Sequence, residues 1–224
     1  LFGVIEISTV SYLLALVYYH HSIVSRQQHV ISLLEDGQPH AFMHEVDKDI
    51  ARCRGQRFRH CLQVNRVAGL CYLGHFQEAY DELRGISPDS LPRLFKVLYF
   101  NNLLIVLLCM DRRDEARALV ARHGHVLTAA TRHRKMEDAL RGTRAIYDLV
   151  CGDHDAGRAA LEQMVALPGR RFKPMRLYFL GLDDWRAGHA EAARRWLSEA
   201  AERAPQSFIP RAVEEMGLTP LPTA

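Results

Sequence analysis

Residues 69–83 read GLCYLGHFQEAYDEL. Gly74 ends an apolar run of helical spacing, and Phe76, Ala79 and Leu83 follow it by two, five and nine positions. A glycine at the end of a helix accepts the left-handed backbone conformation that closes the last turn. A small residue soon after the turn lets a second helix lie close to the first, since bulk at the crossing would hold them apart. Leu83 falls one turn beyond Ala79 on the same face, free to bury against a neighbouring unit. Glu78 occupies the first turn of the second helix, where the dipole favours negative charge. The stretch therefore predicts an antiparallel helix pair, A then B, bending at Gly74.

The same columns return along the chain. Asp111 comes thirty-seven residues after Gly74, with Ala116 and Val120 in the small and apolar positions. Gly152 comes forty-one residues later, with Gly157 and Leu161, and Gly188 thirty-six later again, with Ala193 and Leu197. Thirty-seven residues before Gly74 stands Gly37, whose columns hold Phe42 and Val46, a degenerate copy. Asp114, Asp155 and Glu191 repeat the acidic first turn. Periods of this length mark an array of helical pairs. Helices are expected over roughly 39–53, 57–73, 75–84, 92–110, 112–122, 132–151, 154–166, 173–187 and 189–203, with a short capping helix in 207–218 over the last apolar face. Proline and glycine break the chain at GISPDSLP (85–92) and LPGRR (167–171).

The Gly–x–aromatic–x–x–Ala core of residues 69–83 resembles the tetratricopeptide repeat. So does the set Gly181, Gly188, Ala193, Leu197, Ala200 and Pro205. The resemblance spans roughly residues 57–205. It departs from the family in its longer, irregular periods and in the lack of a tryptophan early in helix A. It implies an all-α fold, a right-handed solenoid of antiparallel helix pairs, and a protein-interaction scaffold rather than a catalyst. Residues 1–35 are then a membrane-anchor helix continuing into the first repeat, and residues 36–224 the solenoid with its cap.

The composition agrees with one domain that has a real core. The 224 residues are 48% hydrophobic and 25% charged. The five cysteines are odd in number and none is paired by C-x-x-C spacing, so they read as small apolar residues rather than a disulfide framework. The formal charge of +3 is too small to imply nucleic acid by itself. No P-loop, G-x-G-x-x-G, G-x-S-x-G or catalytic carboxylate pair is present, so no cofactor and no enzymatic activity are expected.

The opening LFGVIEISTVSYLLALVYYHH carries one charge, Glu6, over residues 1–19. As a helix it would rise about 28 Å, close to the hydrocarbon thickness of a bilayer. Tyr18, Tyr19, His20 and His21 would sit among the headgroups. It lacks the basic approach and small-residue exit of a cleaved leader. The expectation is a single-pass membrane tether. Arg26, Lys48, Arg52 and Arg54 follow the span and place the repeat domain in the cytoplasm by the positive-inside rule.

Charge is expected to segregate between two edges. The A-helix starts carry RCRGQRFRH, RLFK, RHRK and RRFKPMR, which hold Arg52, Arg54, Arg57, Arg59, Arg93, Lys96, Arg132, Arg134, Lys135, Arg170, Arg171, Lys173 and Arg176. The A–B turns carry Glu35, Asp36, Glu78, Asp111, Asp114, Glu115, Asp153, Asp155 and Glu191, diluted by Arg112 and Arg113, so that edge is expected to be mildly acidic. Bases at helix starts oppose the dipole, which points to an acidic partner or an anionic leaflet. Within the groove, Asn101 and Asn102 are candidates to bond an extended peptide backbone, although Ala68 and Ile105 are too apolar for a carboxylate clamp. Tyr178 and Trp185 on the last A helix are candidate groove anchors. The partner expected is a protein or peptide. Two competing readings are a metal-binding or catalytic helical protein built on His40 and His44, an i, i+4 pair set among apolar neighbours as in a core-facing stripe, and a nucleic-acid-binding array on the basic edge. The scarcity of aromatics among those bases weakens the last.

Overall fold

A computed structural model describes residues 29–34, 36–130, 136–167 and 173–218. All regular structure among them is helical. Helix α1 covers residues 29–34, followed by α2 (Pro39–Arg52), α3 (Gln56–Leu73), α4 (Phe76–Arg84), α5 (Arg93–Cys109) and α6 (Arg113–Ala130). Then come α7 (Glu137–Cys151), α8 (His154–Ala166), α9 (Lys173–Arg186), α10 (Ala190–Arg203) and α11 (Ile209–Glu215). The expected membrane span at residues 1–19 lies outside the described residues. Among those described, no helix is long and apolar enough to cross a membrane.

Sequence-adjacent helices pack as pairs, α3 with α4, α5 with α6, α7 with α8 and α9 with α10. The first helix of each pair also packs on the first helix of the next, so α3, α5, α7 and α9 form an inner layer.

All the described pairs but α7–α8 share one turn. At Gly74 the backbone N–H donates to Cys71 O, and the N–H of His75 donates to Leu70 O. The same two bonds, from the turn residue to the carbonyl three back and from its successor to the carbonyl five back, recur at Gly37, Asp111 and Gly188. This is the closure of a helix by a left-handed residue. Gly37, Gly74 and Gly188 have φ of 71°, 79° and 80°, and Asp111 is the one described non-glycine residue with positive φ, at 55°. Gly152 departs from the expectation, with φ of −113°. There the side chain of Asp153 accepts from Ala156 N and caps the next helix instead.

The columns read from the sequence are the packing surface. Ala79, Ala116 and Ala193 are fully buried, as are Leu83, Leu161 and Leu197. Gly157 makes the tightest approach: a Cβ there would lie 2.2 Å from Leu149 N and 2.7 Å from Asp148 C. Helix α6 runs past its expected end near residue 122, because Gly124 costs only about 1 kcal/mol inside a helix and His123 stacks on Phe100 at 4.1 Å.

The C-terminal cap does more than cover α10. Phe208, just before α11, donates its N–H to Tyr72 O (2.9 Å). Its ring meets Phe76 and Tyr178 edge to face, both at 5.0 Å. The chain thus curls until its last element seats on its α3–α4 turn, and Arg186 at the end of α9 reaches Asp111 at the α5–α6 turn (3.4 Å).

Candidate binding site

The inner helices converge at their turn ends and leave a cavity of about 210 Å³ further along, bounded on one side by Ile31 and Leu34 of α1. Its walls are apolar, with Ala68, Ile105, Ile146 and Met175 from the four inner helices. Three of the five buried polar or charged residues described, Asn101, Thr143 and Arg176, line this cavity, and Asn101 and Thr143 also face the space between the α5–α6 and α7–α8 pairs. A burial cost that helices normally avoid is therefore concentrated in one place.

Asn102 and Arg176 are held by neighbouring inner helices, and Asn101 only in part. Asn102 donates its Nδ2 to Val64 O of the preceding inner helix (2.8 Å). Asn101 approaches Asn102 Oδ1 at 3.5 Å through its own Nδ2, while its Oδ1 is buried without a hydrogen-bond partner. Arg176 is 1% exposed and donates Nη2 to Asp138 O and Oδ2, at 2.8 and 2.9 Å. The guanidinium lies across Gly142, where a Cβ would fall 2.7 Å from its Nε and Nη2. Glycine at 142 is what admits the arginine.

Of the expected groove residues, Asn101 and Asn102 lie on the cavity wall. Tyr178 does not line it: the ring is packed against Phe208 and Phe179, and burial pushes its hydroxyl up to about 12. Trp185 is 42% exposed near the Gly188 turn and lies outside the cavity lining. Sequence reasoning missed Gly142 and Thr143, and read Arg176 as a surface base. The numbering does not announce the contact, since Asp138 stands fourteen residues before Gly152 and Arg176 twelve before Gly188, two positions out of register in successive inner helices.

The basic edge is narrower than expected. Lys96 pairs with Asp89 (2.5 Å), Lys173 with Glu199 (3.3 Å), and Arg176 is consumed internally. Arg57, Arg59 and Arg93 remain exposed at the starts of α3 and α5, with Phe58 and Leu94 among them, 50% and 42% exposed. Arg132, Arg134, Lys135, Arg170 and Arg171 lie outside the described residues. The acidic edge is largely cancelled: Asp111 pairs with Arg113 (2.8 Å), Asp114 with Arg117 (2.9 Å) and Glu115 with Arg112 (2.5 Å).

His40 and His44 are exposed on α2 rather than core-facing, because Phe42 and Val46 take the buried stripe of that helix. Among the described residues, no cluster of three or more histidine, cysteine or acidic side chains is placed to hold a metal. Buried thiols are not nucleophiles either, since burial pushes Cys71 up to about 12.

A separate ionic knot ties the last two pairs. Arg158 of α8 reaches Asp183 (2.8 Å) and the buried Asp184 (3.0 Å) of α9, and His154 Nε2 sits 3.0 Å from Asp183. Hydrogen bonds to the Asp155 and Asp183 carboxylates raise the His154 pKa. This network joins repeat to repeat and faces away from the cavity lining. Comparison of the chain with protein-family models, curated proteins and solved structures returns no match.

Proposed function

We propose that the protein is a membrane-tethered interaction scaffold, a tetratricopeptide-like solenoid whose inner groove takes an apolar segment of a partner protein. The observation that carries this reading is the concentration of buried polar side chains, Asn101, Thr143 and Arg176, on an otherwise apolar cavity between the inner helices. Such a lining fits an extended peptide, whose side chains meet Ala68, Ile105 and Ile146 while its backbone is fixed by a few hydrogen-bonding groups. Residues 1–19 would anchor the chain in the bilayer, with the repeats in the cytoplasm. The exposed Arg57, Phe58, Arg59, Arg93 and Leu94 suit an anionic headgroup layer, where each base contributes about 1 kcal/mol.

The test is a photoreactive residue at Ile105 in the full chain, in the membranes of the cells that express it. A single discrete protein adduct is expected there, and none from the same residue at exposed Glu191 on the outer helix α10. Equal labelling from both positions, or none from Ile105, contradicts the proposal.

A further inference from the structure

A second cavity, about 600 Å³, lies between the α5–α6 and α7–α8 pairs. It falls within the range of 300–1,000 Å³ typical of small-molecule sites. Its origin is a local break in the repeat. The apolar column that places fully buried Leu83, Leu161 and Leu197 elsewhere holds the shorter Val120 here, and that residue is only half-buried. One helical turn on, Gly124 presents no side chain at all. A Cβ built on it would meet nothing nearer than Val120 Cγ1 of its own helix, at 3.4 Å. Helix α6 therefore offers a low face to α7 and α8, and Leu127, Leu140 and Met164 surround the space left over. The ion pair of Arg144 and Asp148 (2.8 Å) also contributes to the lining.

A second observation is independent of this gap. Asn101 lines the cavity, is 8% exposed, and its Oδ1 has no hydrogen-bond partner among the described residues. A buried acceptor without a donor is unfavourable, and proteins satisfy nearly all such groups. We propose that this cavity binds a small, neutral, largely apolar molecule bearing one N–H or O–H group, which donates to Asn101 Oδ1. The apolar body packs on Leu127, Leu140 and Met164. A charged ligand is disfavoured, because Arg144 and Asp148 neutralise each other and Arg141, the other charged residue of the lining, pairs with Glu137 at 3.0 Å.

The test uses 1-aminoanthracene, a fluorescent apolar probe with one amine, titrated into the full chain in detergent micelles. Gly124→Leu fills this cavity, and Ala68→Leu fills the inner groove instead. Binding should weaken at least tenfold in Gly124→Leu and stay within about twofold of wild type in Ala68→Leu. Val120→Leu, one methylene larger, gives a graded loss that does not depend on Gly124→Leu folding well. 1-Methylanthracene, of like shape without a donor, should bind about tenfold more weakly than the amine. Unchanged affinity in both Gly124→Leu and Val120→Leu overturns the proposal. So does a loss confined to Ala68→Leu, or equal binding of the two probes. The two cavities share Asn101 and Thr143, but Val120 and Gly124 line only this one and Ala68 and Ile105 only the inner groove, so failure of the photocrosslinking at Ile105 would leave this site untouched.

Discussion

Gly157→Ala is the sharpest test of how the helix pairs meet. The new Cβ would sit 2.2 Å from Leu149 N, 2.7 Å from Asp148 C and 2.8 Å from Ala145 O. All three are backbone atoms of α7, so no side-chain rotation relieves the contact. Restoring an ordinary separation requires α8 to back away by about 1 Å, which loosens Leu161 and Val165 in the core. Overpacking of this kind costs about 1–3 kcal/mol and more where the backbone cannot yield, against about 1 kcal/mol gained from alanine's helix propensity. The expected net loss is about 2 kcal/mol, or roughly 4–8 °C in Tm for a domain of this size. The control is Gly124→Ala, chemically the same change in a neighbouring outer helix, where the Cβ has room. It should stabilise by up to about 1 kcal/mol. Urea unfolding followed by circular dichroism reads both. If Gly157→Ala is neutral or stabilising, the close α7–α8 approach is wrong.

Four further outcomes follow from the same geometry. Gly188→Ala meets no atoms but must hold φ of 80°, so it should cost about 1–2 kcal/mol from backbone strain alone. Gly74→Ala carries the same strain plus a contact 2.6 Å from Phe208 Cβ, and should unfold at lower urea than Gly188→Ala. The His154 pKa is raised in the folded chain by Asp155 and Asp183. The stability it contributes is therefore present below the unfolded value of about 6.5 and is lost as pH rises through the folded value. The gap between wild type and His154→Gln in urea midpoint should accordingly be wider at pH 5.5 than at pH 9. Iodoacetamide at pH 8 should alkylate the half-buried Cys53 in the native chain and reach Cys71, whose thiol burial holds near 12, only after unfolding.

The helices were legible because their signals are local. The turn residue, the small residue five later and the apolar residue four beyond that each act within one pair. Accordingly, nine expected helices end within a residue or two of those observed, α6 and the start of α7 excepted. Helix α6 was expected to end near residue 122 and instead continues through Gly124, whose low face opens a cavity. The left-handed turns at Gly37, Gly74, Asp111 and Gly188 were likewise readable. The exception is Gly152, where Asp153 supplies a cap of its own.

The site was less legible, because it depends on curvature. Period and composition place Asn101 and Asn102 on an inner helix. They do not reveal that the array curls until Phe208 reaches Tyr72 and Phe76, which draws Tyr178 into packing and leaves Arg176 buried against Asp138. Charge was misread for the same reason. A list of bases at helix starts says nothing of Asp89, Asp138 and Glu199, which come alongside Lys96, Arg176 and Lys173 only after packing.

The groove exists only if the inner helices curl far enough for the cap to close their turn ends. Spin labels on His75 and Arg211 measure that closure directly. A Cβ on Gly74 would lie 3.8 Å from the Arg211 guanidinium, so the labels should be within about 20 Å, with a narrow distribution. Four helix pairs stacked without curling at an interaxial spacing of 8–10 Å would instead hold them about 30 Å apart or more, and that result would contradict the closed groove.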